Sequence, residues 1–330
     1  MDVLSDVLRA VRLTSALYFE VSAAQPWIAA TLQMKEVGAT MMPGAGHVIP
    51  FHAMVSASGW ARPEDPTVPP ETFEAGDIVM FPHGEGHLLT SDADRWEAPR
   101  PDTSFYTTAA TSGEPFTLCS LGGDGAPVKF VCGYLGCDAS PFNPLLTALP
   151  RMLIVKAQLG SAGLMRELLR AAVEQKASGR AGAATLVARA GELMFLQAIR
   201  QHMDAMPVAA ASWLAGLRDE QVGRALQLIH TQPAADWSLA SLAKKSGVSR
   251  SVLAERFARF TGEPPMRYVG RWRMQLASGL LTAGESIGRV ADDVGYRSEA
   301  AFQRAFKKYV GVTCGEWRRR AQLGREAVPV

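Results

Sequence analysis

Apolar positions along this chain shift from helical spacing to strand-like runs and back again. Over the first 20 positions, Val3, Leu4, Val7, Leu8, Val11 and Leu13 recur at helical intervals and predict a short helix or a lead-in strand. From about Glu20 to Asp138 the apolar residues gather in short β-prone runs: Trp27–Leu32, His47–Val55, Asp77–Phe81, Phe116–Leu121 and Val128–Tyr134. Gly, Pro and Asp clusters separate these runs, which predicts antiparallel strands in a sandwich or small barrel. Between Asn143 and Met206, Ala and Leu return at helical period with breaks near Gly160 and Gly179–Gly182. Two helices follow from that, Ser161–Ala177 and Ala183–Asp204. The Ala-rich stretch Pro207–Gly216 reads as a linker. Beyond Leu217 the helical period resumes, with Val222, Leu226 and Ile229 marking one buried face.

Within that last stretch one pattern occurs twice, about 49 positions apart. The first copy runs Leu239-Ala-Ser-Leu-Ala-Lys-Lys-Ser-Gly-Val-Ser249, then Val252-Leu253 and Phe257, closing at Gly262. The second runs Ile287-Gly-Arg-Val-Ala-Asp-Asp-Val-Gly-Tyr-Arg-Ser298, then Ala301-Phe302 and Phe306, closing at Gly311. Each is a short apolar helix, a glycine turn, a serine N-cap and a second amphipathic helix. That is the helix-turn-helix unit, whose second helix enters a DNA major groove. Pro264-Pro265 opens a long helix between the copies, because proline suits the first helical turn. A rigid connector would hold the two units for successive grooves, about 34 Å apart.

Charge agrees with this division. The chain carries 34 Lys+Arg and 32 Asp+Glu, a net +2. Counted from Leu217 onward, 19 are basic and 11 acidic, which leaves 15 basic and 21 acidic before it. One half is suited to a polyanion and the other is not. No apolar run reaches the roughly 18 residues of a membrane span, and the amino terminus lacks the pattern of a signal peptide. Cys119, Cys132, Cys137 and Cys314 follow no secreted disulfide framework, so a reducing, cytoplasmic setting is expected.

The carboxy-terminal stretch resembles the AraC/XylS family of bacterial transcription regulators. Trp272-Arg-Met-Gln-Leu-Ala, Val290-Ala-Asp-Asp-Val-Gly-Tyr-Arg-Ser and Phe302-Gln-Arg-Ala-Phe-Lys-Lys carry the likeness. It implies seven helices, with recognition helices over 249–260 and 298–309. Carried over by position, it implies base-facing Arg250, Ser251, Ala254 and Glu255 in the first, and Glu299, Ala300, Gln303 and Arg304 in the second. Arg304 could pair with guanine and Gln303 with adenine. Arg259, Lys307 and Lys308 suit phosphates, which position without specifying sequence. The family usually has Pro where this chain has Cys314.

In the amino-terminal half, Gly76-Asp-Ile-Val-Met-Phe-Pro82-His-Gly84-Glu-Gly-His87 fits the second cupin motif, and Gly46 and His52 fit the start of the first. Met54 and a Ser/Gly stretch (Ser56, Ser58, Gly59) stand where metal cupins place further ligands. This half therefore resembles the cupin-like sensing domains fused to AraC-type regulators. His52, His83 and His87 are candidate ligands for a divalent metal, zinc or iron. Cys119, Cys132 and Cys137 are candidate oxidant sensors. A pocket for a small apolar or aromatic effector, with His52, Met54, Trp60, Met80 and His87 at its wall, is the default expectation, and Phe51 and Phe81 could share it.

The sequence thus predicts an α+β chain. A cupin-like β-barrel occupies 1–142, a helical dimerisation segment 143–206, a linker 207–216, and an all-α tandem helix-turn-helix domain 217–330. The expected function is a non-enzymatic, sequence-specific regulator working with promoter DNA, RNA polymerase, an effector and a second copy of itself. The competing class is a metal-dependent cupin enzyme with a DNA-binding tail.

Overall fold

The computed structural model describes residues 2–111, 117–138, 141–157, 167, 181–207 and 210–326. The chain forms two compact units. One joins Leu13–Cys137 to Leu149–Ala205, and the other joins Met1–Arg12, Asp138–Ala148 and Met206–Val330. These divisions differ from a boundary at 142. The opening helix Val3–Ala10 and the segment around Pro144–Ala148 pack with the helical unit, not with the strands.

The strand unit contains β1 (Thr14–Ala24), β2 (Ile28–Thr31), β3 (His47–Met54), β4 (Gly59–Pro63), β5 (Glu71–Phe73), β6 (Ile78–Met80), β7 (His87–Thr90), β8 (Thr117–Gly122), β9 (Pro127–Cys137) and β10 (Leu153–Val155). They form a six-stranded sheet, β10-β6-β3-β9-β1-β8, and a four-stranded sheet, β2-β7-β4-β5. All pairings are antiparallel except β1 with β8. Apolar side chains of both sheets share one core, in which Trp27 lies 6.4 Å from Phe73 and 5.3 Å from Phe130. Gly84 of the cupin motif has φ +67°, and a Cβ there would meet the Val48 carbonyl oxygen at 2.7 Å. Only glycine meets both conditions. Helix Ala183–Ala205 covers β1 and β10 through Met194, Phe195, Ala198 and Ile199. The helix expected over 161–177 lies outside the described residues, apart from position 167.

In the helical unit the seven helices implied by the resemblance are Glu220–Thr231, Leu239–Lys245, Arg250–Thr261, Pro265–Thr282, Ile287–Asp293, Glu299–Val310 and Cys314–Glu326. A short helix, Trp213–Gly216, occupies the expected linker. Both repeats fold alike because their sequences place the same atoms alike. Ser249 and Ser298 each cap a recognition helix, accepting from the amides of Val252 and Ala301. Gly247 and Gly295 end the preceding helices at φ +75° and +78°. The amides beyond them, Val248 and Tyr296, return to the carbonyls of Ala243 and Ala291. That is the Schellman closure, which requires a left-handed residue at the glycine position. Where the family usually has proline, Thr313 and Glu316 cap the last helix reciprocally, so its start is fixed without that ring.

Candidate functional site

The residues expected to face DNA lie on the helices Arg250–Thr261 and Glu299–Val310. Leu253, Phe257, Phe302 and Phe306 are fully buried and anchor them. Arg250, Ser251, Glu255, Arg259, Glu299, Ala300, Gln303, Arg304, Lys307 and Lys308 are all exposed, and Ala254 is half-buried. The Gln303 amide donates to Glu299 Oε1, one turn back on the same helix, at 2.8 Å. Arg273, on the connecting helix, donates to the carbonyls of Pro233 and Ala235 at 2.8 Å each and of Gly295 at 3.3 Å. One planar guanidinium thus ties the turn of the second unit to the loop before the first. The three bonds leave from three different nitrogens of one rigid fork, a spread of donors that the single nitrogen of a lysine does not offer.

The strand unit holds a cavity of about 530 Å³ between its sheets. Phe19, Val21, Phe130, Cys132 and Tyr134 line one wall, β2 (Ile28–Thr31) the other, and Ala98–Asp102 with Phe105 and Tyr106 the rim. Strand register explains the polar corner. His52 on β3 lies opposite Cys132 on β9, and Cys132 lies opposite Phe19 on β1, so the three form one row on the inner face. His87 enters from the other sheet, where it pairs with Thr31. His52 Nε2 is 2.6 Å from His87 Nε2, and His52 Nδ1 is 2.9 Å from Cys132 Sγ. Burial holds both rings neutral. His87 is lowered to about 4, and His52 falls well below its ordinary range through burial and then through the neighbouring His87.

A cupin family description matches residues 2–204, and a helix-turn-helix domain description matches 242–320. An AraC-like transcription regulator of Streptomyces lividans is 30% identical over 321 residues, covering 97% of this chain and 98% of that one. The chain belongs to the AraC family. The regulator AlkR of Acinetobacter baylyi is 27% identical, covering 93% of this chain and 96% of its own. Among solved structures, a DNA-binding transcriptional dual regulator of Escherichia coli K-12 is 30% identical over 32% of this chain and 96% of that one, at a TM-score of 0.30. This AraC-family protein is a DNA-binding transcription regulator with an amino-terminal cupin sensing domain.

Of the five residues expected around an effector, His52 alone is at the cavity wall. Met54 and Met80 are fully buried in the core. Trp60 faces a separate groove with Gln25, Pro26 and Ser91. His87 stands behind His52. The expected cage of His52, His83 and His87 does not assemble, because His83 Nε2 bonds the Leu149 carbonyl at 3.0 Å. His52 and His87 do not fit a resident metal either. Two nitrogens on one zinc stand about 3.3 Å apart at tetrahedral angles, and these two are bonded to each other at 2.6 Å. Among the described residues no group of three His, Cys, Asp or Glu forms a metal cage. Sequence reasoning missed Phe19, Phe130, Tyr134 and the 98–106 rim. Alternation along β9 could have shown Phe130 and Tyr134, which share the face of Cys132, whereas Phe19 follows only from the pairing of β1 with β9.

Proposed function

We propose that this regulator binds promoter DNA through both recognition helices as a cytoplasmic homodimer, and recruits or obstructs RNA polymerase according to an apolar or aromatic effector held in the cupin cavity. The observation that carries the effector reading is the cavity itself, of about 530 Å³ and walled mainly by apolar side chains, with the rings of Phe19, Phe105, Tyr106, Phe130 and Tyr134 among them. Such a volume and lining are those of small-molecule sites. Dimerisation is supported by Leu186 and Leu193, 54% and 47% exposed on one stripe of helix Ala183–Ala205. Exposed leucines seven residues apart lie on one helix face and suit a second copy of that helix. A monomer in sedimentation at micromolar concentration would contradict it. No described helix is long and apolar enough to cross a membrane.

In the proposed complex Arg304 reads a guanine and Lys307 contacts phosphate, with Arg259 and Lys308 as further backbone contacts and Arg250 facing bases from the first recognition helix. The test begins with selection of the operator from random duplexes by the full-length protein. Arg304→Ala should then cost roughly 1–3 kcal/mol on that operator and relax preference at one base pair. Lys307→Ala should weaken all sequences about equally and reduce the salt slope by about one. Identical behaviour of the two variants would overturn this placement of the helix.

A further inference from the structure

We propose that Cys132 captures α,β-unsaturated carbonyl compounds covalently, with His52 as the acceptor of its thiol proton. The inference rests on reading the cavity as the effector site and adds the chemical class that this site takes.

Hydrogen bonding fixes the proton positions. His87 Nδ1 is 2.8 Å from the Glu85 carbonyl, which can only accept, so Nδ1 carries the proton of that neutral ring. His87 Nε2 is therefore a bare acceptor, and His52 Nε2 donates to it. This leaves His52 Nδ1 unprotonated at 2.9 Å from Cys132 Sγ, and the thiol donates to it. Cys132 is thus not an inert buried thiol. It is hydrogen-bonded to a base that is oriented by a third group, the arrangement that activates a nucleophile. Sγ belongs to a residue of the cavity wall, whereas His87 stands behind the base.

Conjugate addition suits these groups. The sulfur bonds to the β-carbon as the alkene π electrons shift onto the carbonyl oxygen. The thiol proton moves to His52 Nδ1, and His52 Nε2 shares its own proton with His87, spreading the positive charge over two rings. The proton then returns through His52 to the α-carbon, leaving a saturated thioether. Nothing is expelled and no oxidant is consumed, and the transient enolate is balanced by the proton held on His52. A disulfide does not suit the geometry. Cys137 lies on the opposite face of the same strand by parity, five residues along. Cys119 on β8 is separated from β9 by β1, two strand spacings of about 4.8 Å each, beyond the roughly 7 Å a disulfide can bridge. Aromatic walls at Phe19, Phe130 and Tyr134 favour an apolar or aryl tail.

The test treats full-length protein with 4-phenylbut-3-en-2-one at a substoichiometric level, followed by intact-mass analysis and peptide mapping. A single adduct per labelled chain, mapped to Cys132, is expected. His52→Gln should slow its formation roughly a hundredfold, the low end of what a positioned proton acceptor contributes. In urea, wild type and variant should label alike. Mapping needs no variant, so a poorly folding His52→Gln does not spare the proposal: labelling of Cys119 or Cys137 in preference to Cys132 overturns it. The saturated ketone 4-phenylbutan-2-one separates the two layers of the inference. If it raises the melting temperature while the enone leaves no adduct, the cavity reading stands and the covalent step falls. If neither compound raises the melting temperature and no adduct forms, both fall.

Discussion

At the scale of single residues, three buried histidines carry a consequence for stability. His87 is lowered to about 4 and His230 to about 3 by burial, and His52 shifts in the same direction. An unfolded chain binds a proton at each near pH 6.5, whereas the folded chain does not until these lower values. The unfolded state therefore binds more protons in the window between, and stability rises with pH there. Above about pH 6.5 their contribution is complete. As pH falls toward 4, His87 and His230 should each remove up to about 1.4 kcal/mol per pH unit, and His52 acts in the same direction. Urea midpoints of the wild type should decline through this window, and His87→Gln should flatten the decline in the strand unit. A wild-type profile flat between pH 6.5 and 4 would show that the rings take up protons in place. The same residues mark a limit of sequence reading. The cupin motif located His87 and His52, but nothing along the chain says that Cys132 lies across from His52, because that is a matter of strand register.

At the scale of elements, the two helix-turn-helix units look equivalent in sequence and differ in surroundings. Gly247 and Gly295 have nearly the same φ, yet a Cβ at Gly247 meets nothing within 4 Å, whereas at Gly295 it would lie 2.3 Å from the Ala234 carbonyl oxygen. Gly247→Ala should cost about 1–2 kcal/mol, the left-handed penalty alone. Gly295→Ala must also displace the loop held by Arg273, so its cost should be distinctly larger in thermal melts. Equal losses would mean that the loop gives way freely. The repeats were legible because cap, glycine and buried phenylalanine recur at fixed offsets and act locally. The strands β3, β6 and β9 were legible too, as apolar runs between Gly and Pro. Helix Met34–Met41 was not, although Met34, Val37, Gly38 and Met41 follow one buried face. Eight residues within a strand-like texture give a weak periodic signal. Strands β4, β5 and β7 were missed because each is short and includes polar residues, whereas β6, equally short, is wholly apolar, and helix Thr103–Thr111 because its threonines favour no single face.

At the scale of the whole molecule, the DNA-binding unit is assembled from three stretches of chain that no local pattern connects. Gln275 joins them. Its side chain is 1% exposed on the connecting helix. Its oxygen accepts from the Phe142 amide at 3.0 Å, and its nitrogen donates to the Ala10 carbonyl at 3.2 Å. Phe142 packs edge-on against Tyr268 and lies beneath the Arg271 guanidinium. The charge and helix count from Leu217 onward suggest that this fragment binds DNA alone, with affinity that falls steeply with salt. It should nevertheless be less stable than the same helices in the full chain, since it lacks both partners of Gln275. Gln275→Ala separates this from general damage. In the full chain the substitution leaves a buried amide and carbonyl without partners, which costs roughly 1–3 kcal/mol. In the fragment those partners are already missing, so the same substitution should cost only a few tenths. Hydrogen exchange along Pro265–Thr282 reads the difference directly, because protection reports local opening. A loss of protection in the full chain and not in the fragment is the expected result. Equal losses would mean that residues 1–12 and 138–148 do not hold this helix in solution.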